Sequence, residues 1–275
     1  MKPIADQTIL ITGATDGLGK ALALRFARQG AKLLLHGRDP AKGAITLNDV
    51  RNDTGNQKIF YCNADFSSLQ EVREFAKQIL SDYHTLDLLI NNAGIGGNKS
   101  NVRELSADGY ELRFAVNYLA PFLLTHLLLP ALQEALPSRI VNVGSGAQEE
   151  IDFEDVMLEK DYRGLRAYSQ SKLGNLMFTL TLVEQLKGQK ITVNCVHPAS
   201  LMDTNMVRNY FGYSKSTVEE GADSVEFVAS SEETEKITGA FFNRKAKDKG
   251  HPQAYDKKAR ERLDSLSRRL TDLET

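Results

Sequence analysis

The sequence has little cysteine, no strong excess of charge of either sign and no hydrophobic segment at its N-terminus. The formal net charge is −2, with a pI near 6.2. A charge so close to zero argues against nucleic acid or an anionic membrane surface as the main partner. The first residues, MKPIADQ, contain no apolar core of a signal peptide. We therefore expect a cytoplasmic protein, with neither nucleic acid nor a membrane as partner.

The two cysteines and the most apolar run have ordinary structural interpretations. Cys62 and Cys195 each fall in a predicted buried strand, which favours inert core thiols over a disulfide or a metal site. No metal is expected. The most apolar run, LAPFLLTHLLLPAL from Leu119, contains two prolines and a histidine and is too short to span a bilayer. It is interpreted as a buried helix.

The pattern of apolar residues predicts a single α/β domain over residues 1–275. Short apolar runs predict the strands Thr8–Ile11, Lys32–Leu35, Lys58–Cys62, Leu86–Ile90, Ile140–Val143, Ile191–Val196 and Gly239–Phe242. Helical patterns between and after them predict the helices Leu18–Gln29, Ala41–Asn52, Leu69–Ser81, Ala107–Ala135, Arg166–Lys187 and Val218–Ala229. This alternation predicts a doubly wound, Rossmann-type fold, in which helices flank a central parallel sheet of about seven strands. Ligands of such folds bind beyond the carboxyl ends of the strands.

Two long loops and a charged tail complete the chain. Loops of the length of Gly144–Leu165 and Pro198–Thr217 are usually functional or mobile in a compact domain. The tail, residues 243–275, is highly charged, but four of its leucines share one helical face: Leu263, Leu266, Leu270 and Leu273. This pattern predicts an amphipathic helix docked on the body of the protein, with a partner-binding helix as the alternative.

The turn between the first strand and the first helix is rich in glycine. Gly13 allows a tight turn, Gly17 lets the backbone approach a pyrophosphate, and Gly19 lets helix and strand pack closely. Phosphates then meet the free N–H groups of the helix N-terminus. No Gly-Lys-Ser/Thr follows, so the turn is not a P-loop. Its place between a strand and a helix favours nucleotide binding over a plain connecting turn.

Five motifs together resemble the short-chain dehydrogenase/reductase family over about Thr8 to Phe242. The glycine spacing is G-x-x-x-G-x-G, and the motifs that follow it, in order, are Asn91-Asn92-Ala93-Gly94, Asn117, Ser145 and Tyr168-Ser-Gln-Ser-Lys172. The segments NYLAPFLLTHLLLPAL and AYSQSKLGNLMFT are most similar to the branch of retinol dehydrogenases and related bacterial oxidoreductases. The resemblance implies an oxidoreductase that interconverts a carbonyl and an alcohol by hydride transfer with a nicotinamide cofactor.

The resemblance also assigns the catalytic roles. Tyr168 is the acid/base, Lys172 its partner and ribose anchor, Ser145 the donor to the substrate oxygen, and Asn117 the holder of a water. A free tyrosine titrates near ~10. We expect the ammonium of Lys172, one helical turn away, and the positive nicotinamide ring to lower the pKa of Tyr168 toward the working range.

Pro121 gives Asn117 a further property. In a helix the carbonyl of residue 117 would accept a hydrogen bond from residue 121, but proline has no N–H. We therefore hypothesise that Pro121 leaves the Asn117 carbonyl free for the water of the family's proton relay and bends the helix nearby. The alternative is a kink that only shapes the core.

The cofactor is expected to be NADP(H), with NAD(H) as the alternative. The second strand ends in His36-Gly37-Arg38, without the carboxylate that binds the ribose of NAD, and an arginine here pairs with the 2′-phosphate in the relatives. The competing interpretation is that Arg38 pairs with Asp39. The acidic Asp16 departs from the pattern of NADP-preferring relatives. The expected cofactor contacts are Gly13, Thr15, Asp16, Gly17, Leu18, Gly19, Arg38, Asp65, Asn92, Ala93, Gly94, Tyr168, Lys172 and Thr204.

Two of these contacts, Asp65 and Thr204, leave an alternative or a departure from the family pattern. Asp65 matches the family's aspartate near the adenine, with an N-cap of the helix Leu69–Ser81 as the alternative. Ala199 stands where the family usually has glycine, and its methyl group disfavours a positive φ. The loop beside the nicotinamide is therefore expected to run differently, and Thr204, one residue off the usual spacing, is assigned to the carboxamide.

The segment after Ala199 is predicted to form a flexible lid over an apolar substrate pocket. Its apolar side chains are Leu201, Met202, Met206, Tyr210, Phe211 and Tyr213. The alternative is a lid that packs on the body and has no effect on specificity.

Other functions and assemblies remain as alternatives to the first interpretation. A non-catalytic nucleotide sensor or interaction protein on the same fold would not need the serine, tyrosine and lysine. An epimerase or dehydratase is disfavoured by the glycine spacing and the compact length. The partner is expected to be a small-molecule carbonyl or alcohol. Relatives often pair through the two long helices, Ala107–Ala135 and Arg166–Lys187 here, so a homodimer or homotetramer is expected by analogy.

Overall fold

The computed structural model describes residues 1–273, which form one α/β domain. The strands are β1 (Thr8–Ile11), β2 (Lys32–Gly37), β3 (Ile59–Asn63), β4 (Leu88–Asn91), β5 (Ser138–Val143), β6 (Ile191–His197), β7 (Phe241–Asn243) and β8 (Ala246–Asp248). The helices are α1 (Gly17–Arg28), α2 (Pro40–Thr54), α3 (Leu69–Asp82), α4 (Leu112–Phe114), α5 (Ala120–Glu134), α6 (Gly164–Gln185), α7 (Asn205–Phe211), α8 (Val218–Ser230) and α9 (Lys257–Leu270).

The strands form one sheet in the order β3-β2-β1-β4-β5-β6-β7-β8. Strands β1 to β7 are parallel, and only β8 pairs antiparallel, with β7. The predicted doubly wound fold is confirmed, with one strand more than the seven expected. The sequence pattern missed β8 because its three residues are polar or small and fully exposed. The strand order reverses between β1 and β4, so a crevice opens there at the carboxyl edge of the sheet.

Alternate residues of the strands pack into two apolar layers, one on each face of the sheet. Leu10, Leu34 and Leu89 face the layer formed with α3, α5 and α6, while Ile9 and Leu33 face the layer formed with α1 and α8. Burial of both faces explains why these strands are continuously apolar rather than alternating. The sheet is therefore a rigid platform whose loops meet at one edge.

Both cysteines lie inside this platform. Cys62 on β3 and Cys195 on β6 are buried, as predicted. Burial raises the pKa of Cys62 to about 11 and that of Cys195 to about 12. Thiols of such high pKa are poor nucleophiles at neutral pH.

The predicted helix Ala107–Ala135 is shorter and less regular than expected. It begins at Leu112, because Glu111 caps it by accepting a 2.7 Å hydrogen bond from the Phe114 N–H. A π-helical turn, Ala115–Leu119, then separates α4 from α5. The combined run of 112–134 is long and apolar enough to cross a membrane, but 78% of its most apolar window is buried in the protein. A core helix of a globular domain has the same properties.

The charged tail contains α9, which lies on the body of the protein. Leu263 is 1% exposed, and Leu266, Leu270 and Leu273 are partly buried against the core. Asp256 caps α9 by accepting from the N–H groups of Lys258 and Ala259. The last two residues of the predicted tail, 274–275, lie outside the described residues.

Candidate active site

A cavity of about 440 Å³ opens at the carboxyl edge of the sheet. The catalytic candidates in its wall are Ser145, Tyr168 and Lys172, and the cofactor candidates there are Gly13, Thr15, Asp16, Gly17, Leu18, Gly19, Arg38, Asp65, Asn92, Ala93, Gly94 and Thr204. Of the predicted site residues, only Asn117 lies behind the wall. The fold thus brings together residues that are up to 191 positions apart in sequence, counted from Gly13 to Thr204.

The glycines of the first turn are held in a space that admits no side chain. A Cβ on Gly13 would lie 2.7 Å from the Ala93 Cα, and one on Gly19 would lie 2.1 Å from the Gly13 carbonyl oxygen. Gly13 and Gly17 also have positive φ values of 64° and 46°. Such a tight backbone at the start of α1 leaves its N-terminal N–H groups open to an anion.

Asp16 and Thr204 join this turn to α7. Asp16 caps α1 by accepting a 2.7 Å bond from the Gly17 N–H, and its second oxygen accepts from the Asn205 amide at 2.8 Å. The Thr204 hydroxyl caps α7 by accepting from the Val207 N–H at 3.3 Å. Thr204 therefore lies beside Gly17, and its predicted contact with a carboxamide stays a prediction.

Arg38 is exposed and directly follows β2. In residues 1–273 its guanidinium makes no hydrogen bond or ion pair. Asp39 does not pair with it, because the Asp39 carboxylate caps α2 by accepting from the N–H groups of Ala41 and Lys42 at 2.9 and 3.1 Å. The guanidinium is thus available to a ligand in the cavity.

Asp65 is not the N-cap of α3. Ser68 holds that position, and its hydroxyl accepts from the Glu71 N–H at 3.3 Å. The Asp65 carboxylate instead accepts from the Ser67 N–H at 2.9 Å and stays in the cavity wall. The alternative role considered for Asp65 is therefore wrong.

His36 is a residue of the site that the sequence analysis missed. It is 3% exposed; its Nδ1 accepts from the Gly13 N–H at 3.2 Å, and its Nε2 donates to the Ala64 carbonyl at 3.0 Å. Its ring stacks on Phe66 at 3.9 Å. Burial lowers its pKa to about 4. A neutral imidazole thus links the glycine-rich turn, β2 and the loop after β3. The sequence feature that could have indicated this role is a histidine within an apolar strand, because a buried imidazole needs polar partners.

Asn117 lies in the π-helical turn and is 1% exposed. Its side chain accepts from the Ile95 N–H at 2.7 Å and donates to the Ile95 carbonyl and the Ser171 hydroxyl, each at 3.0 Å. The amide is thereby fully used in fixing the loop after β4. The main-chain carbonyl of Asn117 is the acceptor that the hypothesis on Pro121 assigns to a water.

Ser145, Tyr168 and Lys172 meet where β5 ends. The Ser145 hydroxyl accepts from the Ala147 N–H at 3.0 Å, which leaves its own proton for another acceptor. The Lys172 Nζ donates to the Val143 carbonyl at 2.9 Å and lies 5.8 Å from the centre of the Tyr168 ring. The ammonium is thus close to the phenol but is directed at the backbone.

The pKa values of Tyr168 and Lys172 both depart from their ordinary values. Burial raises the pKa of Tyr168, and a hydrogen bond with Ser145 opposes this rise. Burial also lowers the pKa of Lys172 to about 8. For these residues alone, burial therefore has the largest effect on the Tyr168 pKa, and the lowering predicted for Lys172 together with a bound nicotinamide stays a prediction.

The comparison with known proteins decides the family. A family model described as short chain dehydrogenase matches residues 7–215. The chain belongs to the short-chain dehydrogenase family. Retinol dehydrogenase 13 of Mus musculus is 34% identical, over 98% of this chain and 85% of that protein. Retinol dehydrogenase 11 of Homo sapiens is 37% identical, over 86% of this chain and 77% of that protein. These relatives confirm the predicted branch.

Solved structures share the fold of this short-chain dehydrogenase. An uncharacterised protein from Mycobacterium paratuberculosis has a TM-score of 0.81 and 30% identity, covering 98% of this chain and 95% of that one. A short chain dehydrogenase from Escherichia coli CFT073, complexed with NADPH, has a TM-score of 0.71 and 24% identity, covering 88% and 97%. At that identity the second likeness concerns the fold alone.

The outer part of the cavity in this short-chain dehydrogenase is apolar. Its side chains come from the loop after β4, the start of α6 and the segment around α7: Ile95, Leu165, Leu201, Met206, Val207, Tyr210 and Phe211. Gly96 and Gly97 make room for α7, since a Cβ on them would lie 2.8 Å from Met206 and 2.9 Å from Tyr210. The segment predicted as a lid thus forms one wall of the cavity, and its flexibility stays a prediction.

The loop before α7 takes its positive φ at an unexpected residue. Leu201 has a φ of 49°, while Ala199 is not among the residues with positive φ. The residue with the left-handed conformation in this loop is therefore Leu201, two residues after Ala199. Leu201 faces the cavity in this conformation, which is uncommon for a residue other than glycine.

Proposed function

We propose that this chain is an NADP(H)-dependent oxidoreductase that interconverts a ketone or aldehyde and an alcohol on a small, fairly apolar molecule. The observation that carries the proposal is that Ser145, Tyr168 and Lys172 line the same cavity as the glycine-rich turn. Proton-transfer groups beside a nucleotide site are what such a reaction requires.

The residues present fit a nicotinamide nucleotide. The backbone at Gly13 and Gly19 is so crowded that a Cβ would fill it, which leaves the α1 N-terminus for a pyrophosphate. Arg38 and Asp65 lie on the side of the cavity where β2 and β3 end, and Lys172 lies beside β5. Residues 13–19 would hold the phosphates, Asp65 the adenine and Lys172 the ribose. When bound, the nicotinamide would supply or accept the hydride.

Arg38 supports NADP(H) over NAD(H). Its guanidinium has no partner within residues 1–273, and the neighbouring carboxylate of Asp39 is used in capping α2. A guanidinium forms two parallel hydrogen bonds with a phosphate, whereas a ribose hydroxyl needs an acceptor such as a carboxylate. The same fold holds NADPH in the Escherichia coli protein.

Tyr168 is the proposed proton donor to the substrate oxygen. Because burial raises its pKa, the phenol keeps its proton at neutral pH, which suits reduction of a carbonyl. The Ser145 hydroxyl, which accepts from the Ala147 N–H, would donate its proton to the same oxygen and stabilise the developing charge there. Lys172 would hold a positive charge near that oxygen, although its pKa of about 8 leaves a fraction neutral at pH 7.

The wall around α7 supports an apolar substrate. Leu165, Met206 and Phe211 are each at least 40% exposed and contribute apolar surface to the cavity. Burying such surface against a substrate is favourable, and methionine adapts to irregular shapes. Aliphatic and aromatic carbonyls are therefore expected to be better substrates than sugars.

The test is the oxidation of NADPH and of NADH with a panel of apolar and polar carbonyls. Tyr168→Phe is expected to lower kcat by about 10²–10⁴-fold, the effect of losing a general acid. Tyr83→Phe removes the phenol hydroxyl of the residue that follows α3, which does not line the cavity within the described part of the chain, and is expected to keep full activity. Binding of NADPH without turnover of any carbonyl would instead favour a nucleotide sensor. Activity that survives in Tyr168→Phe would overturn the proposal.

A further inference from the structure

Tyr61 on β3 joins the two ends of the turn that carries Arg38. Its hydroxyl oxygen lies 2.8 Å from the Gly37 carbonyl oxygen and 2.9 Å from the Asp39 carbonyl oxygen, and its single proton is shared between the two acceptors. These two carbonyls belong to the residues directly before and directly after Arg38 in the chain. Burial raises the pKa of Tyr61 to about 12, so the hydroxyl keeps its proton and remains a donor throughout the neutral range.

The Tyr61 ring occupies a space that two glycines provide. A Cβ on Gly43, the fourth residue of α2, would lie 2.1 Å from the ring, and one on Gly37 would lie 3.0 Å from the hydroxyl. Glycine in a helix costs about 1 kcal/mol relative to alanine. A glycine at position 43 thus weakens α2, and the space it leaves admits the ring. The contact is therefore a defined feature of the turn rather than a chance approach.

The contact decides which groups of the turn face the cavity. Arg38 lines the cavity, whereas Tyr61 does not, within the described part of the chain. Carbonyls that point at Tyr61 are held back from a phosphate bound beside Arg38, which they would otherwise repel. The Gly37 carbonyl also accepts from the Asn63 amide at 3.3 Å, which holds it in the same direction.

We propose that Tyr61 is a positioning residue for the 2′-phosphate of NADP(H), acting through the backbone on both sides of Arg38. The inference rests on the proposed cofactor preference and adds to it a residue outside the cavity. Tyr61 fixes the turn before the nucleotide binds, so less ordering of the turn opposes binding. The effect is confined to ligands that carry the 2′-phosphate, because the pyrophosphate lies at a different turn.

Two nucleotide fragments test this without any turnover. Adenosine 2′,5′-bisphosphate carries the 2′-phosphate and 5′-AMP lacks it, and calorimetry gives the affinity of each. Tyr61→Phe keeps the ring on Gly43 and removes only the hydroxyl. It is expected to weaken the bisphosphate about fivefold, the size of one lost hydrogen bond, and to leave 5′-AMP unchanged.

Tyr83→Phe is the matched control. Tyr83 packs against Phe60 of the same strand, with ring centres 6.0 Å apart, and its hydroxyl makes no hydrogen bond within residues 1–273. Both affinities are expected to stay as in the wild type. Gly43→Ala, which would push the Tyr61 ring away, is a second variant and is expected to reduce the preference for the bisphosphate.

The outcomes separate this inference from the proposed function. A wild type that binds both fragments equally well would overturn the cofactor preference, and this inference with it. A wild type that prefers the bisphosphate and a Tyr61→Phe variant that keeps the whole preference would overturn only the inference. An equal loss of both affinities would make Tyr61 a general structural residue and would also overturn it.

Discussion

The Lys172 ammonium donates a 2.9 Å hydrogen bond to the Val143 carbonyl, at the point where β5 ends. The lysine is 5% exposed, and its carbonyl partner carries no formal charge. A buried ammonium without a carboxylate beside it is unfavourable for folding. Its position is explained by function rather than by stability, because it places a positive charge 5.8 Å from the centre of the Tyr168 ring.

Lys172→Met is therefore expected to stabilise the protein while it abolishes turnover. The Lys172 pKa of about 8, against 10.5 ordinarily, corresponds to about 3 kcal/mol of unfavourable burial. This cost is fully present below pH 8 and disappears as the pH rises to 10.5, because the unfolded chain then holds more protons. Urea unfolding at pH 7 and pH 10 should show a gain of about 2 kcal/mol for the variant at pH 7 and a smaller gain at pH 10. An equal or lower stability at pH 7 would contradict this explanation.

His36 is expected to make the protein sensitive to acid. Its folded pKa of about 4 lies below the ordinary 6.5, so the unfolded chain binds the proton more readily. Stability is then full above pH 6.5 and falls by about 3 kcal/mol as the pH drops toward 4. His36→Asn keeps an acceptor for Gly13 but does not titrate, so it should lose less stability between pH 7 and pH 5 than the wild type.

The control for His36 is His84→Asn, at an exposed position in the loop after α3. Urea unfolding of this variant at the two pH values should give the same difference as the wild type. His126 and His197 also have lowered pKa values because of burial, so His36→Asn removes only part of the acid sensitivity. A difference unchanged in His36→Asn would mean that its imidazole is not the acid-sensitive link.

Local pattern was sufficient to predict much of this site. The glycines of the first turn, Arg38 after β2, and the Tyr168–Lys172 pair each occupy a fixed place relative to one strand or one helix. Because the carboxyl ends of parallel strands share one edge, the place of each motif along the chain also predicted that they would meet. The fold class followed from the same alternation of strands and helices.

What the sequence could not predict depends on contacts between distant segments. The pKa of Tyr168 depends on how deeply the phenol is buried, and that depth is set by packing around the whole cavity. The role of His36 depends on Gly13 and Ala64, which lie 23 and 28 residues away. The availability of Arg38 depends on Asp39 capping α2 instead of pairing with it. None of these contacts produces a periodic pattern in the sequence.

Pro121→Ala tests the hypothesis on the Asn117 carbonyl. The Asn117 side chain holds Ile95 and Ser171, and the alanine N–H would compete with a water for the main-chain carbonyl of Asn117. The variant is expected to lower kcat about fivefold and to shift its pH–rate profile. Pro130→Ala changes the other proline of α5, an exposed one, and should leave both unchanged. If the pH–rate profiles of Pro121→Ala and Pro130→Ala were identical, Pro121 would have a role in packing only.

The position of α9 predicts a monomer. Ser267 on α9 is hydrogen-bonded to Tyr118 at 2.7 Å, and Arg268 contacts His126, so α9 lies on the helix that includes α5. On α6, Gln185 donates to Asp264 of α9 at 3.2 Å. These are the two long helices through which pairing was expected by analogy, and α9 covers part of each. Light scattering at micromolar concentration is expected to give the mass of one chain, 30.5 kDa.

Leu263→Glu tests whether α9 is what keeps the chain monomeric. A carboxylate at this buried position, 1% exposed in the wild type, would release α9 and uncover apolar surface of α5 and α6. The variant is expected to associate, while circular dichroism reports that the domain is still folded. Leu105→Glu places the same charge on an exposed loop and should remain monomeric. A wild type that is already dimeric would contradict the prediction of a monomer and would mean that pairing uses a surface that α9 leaves open.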